Sequence, residues 1–120
     1  MKEFFKADPG INKLFEMVLY MPMYAKTILA AIELDIFSSL TQAKKHIDIA
    51  EEYTLHPQNT AYLLDALAAL GLLEKKEGSY RNTSLTSKHL VKGRDTYIGK
   101  YLCTYNQITG FDAIDIADLV

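Results

Sequence analysis

The chain has 120 residues, 49% of them hydrophobic and 23% charged, with a formal net charge of −2. That suffices for one domain with its own core, and it is too near neutrality for a general pull toward nucleic acid or anionic lipid. The single Cys103 excludes an internal disulfide and a cysteine-only metal cluster, so a reducing, cytoplasmic setting is the expectation.

The opening MKEFFKADPG is too charged for a signal peptide, and no apolar run approaches the roughly 20 residues that cross a bilayer, so no membrane association is expected. A turn is expected at Asp8-Pro9-Gly10. Next, Ile11, Leu14, Phe15, Val18 and Leu19 recur at the spacing of an amphipathic helix, which Pro22 should end or kink. So short a helix is marginal alone, so either the domain's core or a partner subunit must cover its stripe. The preceding Phe4 and Phe5 suit an exchangeable arm. Tyr24, Ala25, Ile28, Leu29, Ile32 and Leu34 mark a second helix, closing at residues 35–37. Residues 41–46 read as a polar, basic connector. Asp48 is then the expected N-cap of a short third helix, with Glu51 completing the capping box.

The best-marked stretch, residues 47–83, has the order of a winged helix-turn-helix: short helix, tight turn, longer helix, hairpin. Pro57 suits a first helical position. Leu63, Leu64, Leu67 and Leu70 recur at helical spacing, and Gly71 sits where a left-handed C-terminal cap is wanted. Residues 72–76 and 80–83 flank Glu77-Gly78-Ser79, a Gly-containing hairpin connection. A short capped helix follows over residues 84–91. Asp95 is the expected cap of another helix, in which Tyr97, Ile98, Tyr101, Leu102, Tyr105 and Ile108 form a second stripe before Gly110 breaks it. Phe111, Ile114 and Leu119 suggest one more helix. The expected fold is mainly α: a winged helix-turn-helix with one small β-hairpin and flanking dimerisation helices. The expected division is an arm over residues 1–22, a winged-helix domain over 23–93 and C-terminal helices over 94–120.

A winged helix suggests DNA, and the charges argue against it. Residues 47–74 contain no Lys or Arg, while Asp48, Glu51, Glu52, Asp65 and Glu74 give a net −5. Phosphate contacts supply most non-specific DNA affinity and need cations or other donors. Gln58 and Asn59 suit adenine, but Asp65 on the same face would bring the wrong charge. The later basic run, from Lys75 to Lys100, reads as a solvated face. His46, His56 and His89 are scattered and match no ligand spacing on one helix face, so no metal site is expected. No Ser or Cys has a marked base beside it, and the glycines form no G-x-G-x-x-G loop. No catalytic or cofactor-binding residue is therefore assigned.

Three segments carry a resemblance: AAIELDIFSSL, DIAEEYTLHPQNTAYLLDALAALGLLEKKEGSY and LTSKHLV. Together, over about residues 23–92, they resemble the N-terminal dimerisation domain of S-adenosylmethionine-dependent small-molecule O-methyltransferases. The helix end Ala31 to Leu40 matches A-x-x-L-G-L-F-x-x-L, except that Asp35 stands where the family commonly has Gly. The resemblance implies an intertwined homodimer and a winged helix used for protein contacts. It also implies a following Rossmann-like domain that holds S-adenosylmethionine and the catalytic base. The family's glycine-rich cofactor loop and catalytic histidine have no counterpart here, so neither is carried over. The chain reads as a fragment or stand-alone remnant of such an enzyme.

Two functions are weighed. The first is the dimerisation and substrate-lid domain of a small-molecule methyltransferase, with S-adenosylmethionine and a methyl acceptor belonging to the whole enzyme. The second is a DNA-binding winged-helix regulator. Under the first, the dimer interface is expected at Phe4, Phe5, Ile11, Leu14, Phe15, Val18 and Leu19, and at Tyr97, Ile98, Tyr101, Leu102 and Tyr105. By the resemblance, Phe15, Met17, Tyr20, Met21 and Tyr105 are candidates to roof the acceptor pocket.

Overall fold

The computed structural model describes residues 9–109, with side chains from residue 10 to residue 106. The described part opens on one long helix in three pieces: α1 (Pro9–Phe15), a π-helical turn (Glu16–Tyr20) and α2 (Met21–Leu34). Pro22 therefore does not end the helix. A proline lacks an N–H and crowds the carbonyl four residues back. Here it directly follows the π turn, where the Met21 N–H bonds to the Glu16 carbonyl five residues back. Widening the ladder there absorbs the defect. The result revises the membrane expectation on one point: residues 10–34 form a 25-residue helix apolar and long enough to cross a bilayer by length and composition. The break expected at Pro22 would divide this run in two.

Asp35 ends α2 in the left-handed region (φ 57), a conformation that suits glycine best and tolerates Asp among few others. Its place is fixed on both sides. Its carboxylate accepts from Ser38 Oγ at 2.6 Å, and its carbonyl accepts from Tyr53 Oη at 2.8 Å. The short α3 (Ile36–Ser39) follows. The connector that comes next holds a strand the sequence did not advertise, β1 (Lys44–Lys45). The hairpin strands are β2 (Leu73–Lys76) and β3 (Ser79–Asn82). All pairing is antiparallel in the order β1-β3-β2, with Lys44 opposite Tyr80 and Lys75 also opposite Tyr80. The hairpin turns on Glu77 (φ 52) and Gly78 (φ 79), both left-handed, as a two-residue turn matched to strand twist requires.

Between β1 and β2 lie α4 (His46–Tyr53) and α5 (Pro57–Ala69). Helix α4 begins two residues before the expected cap. Asp48 sits inside its first turn, where its carboxylate accepts the Lys45 N–H at 3.2 Å. His56 caps α5 through Nδ1, which accepts the Asn59 N–H at 3.2 Å, and Gly71 leaves the helix at φ 83. After β3 come α6 (Ser84–His89) and α7 (Gly99–Thr109). Asp95 caps nothing; α7 starts four residues later, where the Ile98 N–H has bonded to the His89 carbonyl at 2.9 Å.

The core gathers Ile32 of α2, Ile36 and Phe37 of α3, Ile49 of α4, Leu64 and Leu67 of α5, and Tyr80 of β3. Helix α7 joins it from outside through Leu102 and Cys103. Buried Asn82 ties α3 to the sheet. Its Nδ2 donates to the Phe37 carbonyl at 2.8 Å, and its N–H to the Leu40 carbonyl at 2.9 Å. The radius of gyration is 17.0 Å, where a compact chain of this length has about 14 Å. The excess fits a long first helix that projects from this core.

Candidate self-association surface

No residue from Gly10 to Ala30 is buried; burial begins at Ala31 and Ile32, where α2 reaches the core. Leu14, Met17, Val18, Leu19, Tyr20, Met21, Met23 and Tyr24 are all exposed, while Ile11 and Phe15 are half-buried. A soluble monomer rarely leaves so continuous an apolar patch in water. Met23 and Tyr24 extend the stripe past Pro22, although neither is among the expected interface residues. The unbroken apolar run MVLYMPMY was the available signal.

Helix α7 divides its stripe between two faces. Leu102 turns to the core together with Cys103, and Tyr97 is half-buried beside them, whereas Ile98, Tyr101 and Tyr105 are exposed. The Tyr101 and Tyr105 rings stack at 6.1 Å between centroids. Of the expected interface residues, then, Leu14, Val18, Leu19, Ile98, Tyr101 and Tyr105 present surface. Leu102 belongs mainly to the domain's own packing. Of the lid candidates, Met17, Tyr20, Met21 and Tyr105 are exposed and Phe15 is half-buried. Phe4 and Phe5 lie outside the described residues.

The winged-helix face is built for internal contacts. Asp65, expected to confront DNA, points to the wing instead, where its Oδ1 accepts from Tyr80 Oη at 2.5 Å and from Lys75 Nζ at 2.9 Å. Those bonds, Tyr80 first, hold its carboxyl below the usual range, while burial pushes the Tyr80 phenol up. Lys75 also lies 5.2 Å from the Tyr80 ring centroid. On the opposite edge, Glu52 accepts from Ser39 and Lys44 at 2.9 and 3.0 Å, which lowers its pKa. Neighbouring Tyr53 is pushed up to about 12 by burial and by Glu52. The two carboxylates, Glu52 and Asp65, are thus each paired with a lysine and a hydroxyl from other elements.

No group of three or more His, Cys, Asp or Glu that could hold a metal occurs among the described residues. S-adenosylmethionine does not fit them either. Gly71, Gly78 and Gly93 all have positive φ and serve a helix end, the hairpin turn and a loop, and none forms a cradle that a Cβ would fill. A cleft of about 640 Å³ lies over the outer sheet face and mixes Lys45, Lys76 and Arg81 with Glu74 and Glu77.

Comparison with known proteins agrees with this reading. The family model described as the O-methyltransferase dimerisation domain matches residues 18–92. The tetracenomycin polyketide synthesis 8-O-methyl transferase TcmO of Streptomyces glaucescens is 36% identical over 86 residues, 69% of this chain and 25% of that protein. An O-methyltransferase family protein from Burkholderia thailandensis superimposes with a TM-score of 0.74 at 27% identity, covering 82% of this chain and 30% of its own. Human N-acetylserotonin methyltransferase, solved in complex with SAM, gives a TM-score of 0.75 at 25% identity, over 86% of this chain and 31% of its own. The chain thus spans between a quarter and a third of the length of these relatives. The fold is theirs, the uncovered first helix has the character of a pairing element, and the match takes in most of the chain: it belongs to the O-methyltransferase dimerisation-domain family.

Proposed function

We propose that this domain pairs with a second copy of itself through the first helix and the outer face of α7, as the dimerisation and substrate-lid domain of a methyltransferase. In that enzyme S-adenosylmethionine would supply the methyl group and a small molecule would accept it on oxygen. The observation that carries the pairing is the helix that is apolar along residues 10–30 yet has no buried residue there. Two-fold repetition of one surface covers both stripes with a single interface. The lid role assigns Phe15, Met17, Tyr20, Met21 and Tyr105 to the roof of the acceptor pocket and rests on family membership. The DNA-binding alternative loses support from Asp65, which the wing already occupies.

Light scattering at micromolar concentration tests the pairing. The expected result is twice the 13.6 kDa chain mass, and a mass of one chain rejects it. Flotation with phospholipid vesicles tests the other use of a 25-residue apolar helix. Co-flotation of the chain would replace pairing with membrane contact.

A further inference from the structure

The outer face of the sheet carries a cross-strand row to which neither the first helix nor α7 contributes. Leu73, Tyr80 and Asn82 turn to the core, so alternation along each strand puts Glu74, Lys76, Ser79 and Arg81 on the opposite face. Ser79 is paired with Lys45 on one side and with Lys76 on the other. A hydroxyl therefore stands between two lysines in one row across all three strands. These residues line the cleft of about 640 Å³, with both lysines exposed and Ser79 half-buried.

The charges around this row are unevenly matched. On the other side of the sheet, Lys44 and Lys75 bond to Glu52 and Asp65. In the next row of the outer face, Arg81 meets Glu74 at 3.3 Å. Among the described residues, Lys45 and Lys76 are the strand cations that enter no ion pair. Their Cα atoms are two strand spacings apart, about 10 Å, and each ammonium rides on a long, flexible stem, so both can close on one group above Ser79. Left facing each other they repel, and an anion between them reverses that sign. A phosphate monoester suits the place, since it carries about −1.5 to −2 charge and its free oxygens match two ammoniums and one hydroxyl. Glu74 and Glu77 flank the row. Their charge opposes a second phosphate, so a single phosphoryl group fits better than a nucleic-acid backbone. The cleft exceeds one such group, which leaves room for the organic part of an ester.

We propose that this face binds the phosphoryl group of a small phosphate monoester, held between Lys45 and Lys76 with the Ser79 hydroxyl beneath it. The experiment follows the amide chemical shifts of the isotopically labelled full chain by NMR, at low salt, as phenyl phosphate is added. Saturable shifts concentrated at residues 43–45 and 74–81 are expected. Lys45→Gln and Lys76→Gln should each weaken the fitted dissociation constant about fivefold, and Ser79→Ala about threefold. Lys75→Gln removes the same charge from the other side of the sheet and should change it by less than about twofold. Dimethyl phosphate, a monoanion with fewer free oxygens, should bind several-fold more weakly than phenyl phosphate. The spectrum of each variant shows whether it is folded, and either lysine variant decides the matter if Ser79→Ala disturbs the hairpin. The absence of saturable shifts at these residues, an equal loss in Lys75→Gln, or equal affinity for dimethyl phosphate overturns the proposal. Tighter binding of a short DNA duplex to the same residues overturns it too, since the wing would then be a nucleic-acid element.

Discussion

Placing a carboxylate at Leu14 and at Val18 is the sharpest test of the pairing surface. Leu14 keeps 58% of its surface exposed within one chain and Val18 66%. Full burial of such a side chain contributes about 1.5–3 kcal/mol, so covering the exposed share contributes about 1–2 kcal/mol at each position. A two-fold interface uses each position twice. Leu14→Asp with Val18→Asp therefore removes at least about 4 kcal/mol per dimer before any desolvation of the new charges. At about 1.4 kcal/mol per factor of ten, that weakens the dissociation constant roughly a thousandfold. Sedimentation equilibrium across the micromolar range should show a wild-type dimer and a monomeric variant. The core at Ile32, Phe37, Leu64 and Tyr80 is remote from both sites, so the circular-dichroism spectrum should not change. A variant that sediments as a dimer would refute the reasoning, and the stripe would then need a cover outside the pair.

Three further outcomes follow from single residues. Thr54 holds a left-handed conformation (φ 55, ψ 55) at the end of α4, which β-branched side chains resist; Thr54→Asn should stabilise by about 1 kcal/mol, read as a melting point several degrees higher. Asn82→Ala removes one of the two donors to the Phe37 carbonyl, which keeps the Leu40 N–H, and should cost about 1 kcal/mol in urea unfolding. The Asp65 carboxyl has a folded pKa below its ordinary 3.8, so its contribution is present above that pH and is lost as the pH falls through the folded value. Asp65→Asn should be the less stable protein near neutrality and should show a flatter loss of stability below about pH 4; parallel acid limbs in the two proteins would count against it.

The parts of the fold that local chemistry dictates were legible. Pro57, the leucine spacing and Gly71 located α5 closely, and Gly78 located the hairpin. Features set by distant partners were not. Lys44 and Lys45 have no local reason to form a strand; they do so because Ser79 and Tyr80 offer a register. Asp48 resembles a cap, yet pairing at β1 places the cap at Lys45, three residues sooner. The surplus of apolar stripes was visible in advance, but the division of α7 was not. Periodicity reveals that a face is apolar without saying what covers it, and only packing assigns Leu102 to the core and Tyr101 to the surface.

The π turn at Glu16–Tyr20 sets the phase of the whole first helix. Each residue of an α-helix advances the side chains by about 100°, and a π turn amounts to one residue inserted into that count. The half that carries Ile11 and Phe15 is therefore rotated against the half that anchors Ala31 and Ile32 in the core. Deleting one residue within the turn would leave a helix of nearly the same length, seated on the same core, with its outer half aimed roughly a quarter-turn away. Length and composition would survive such a change, and the direction in which the domain reaches for its partner would not.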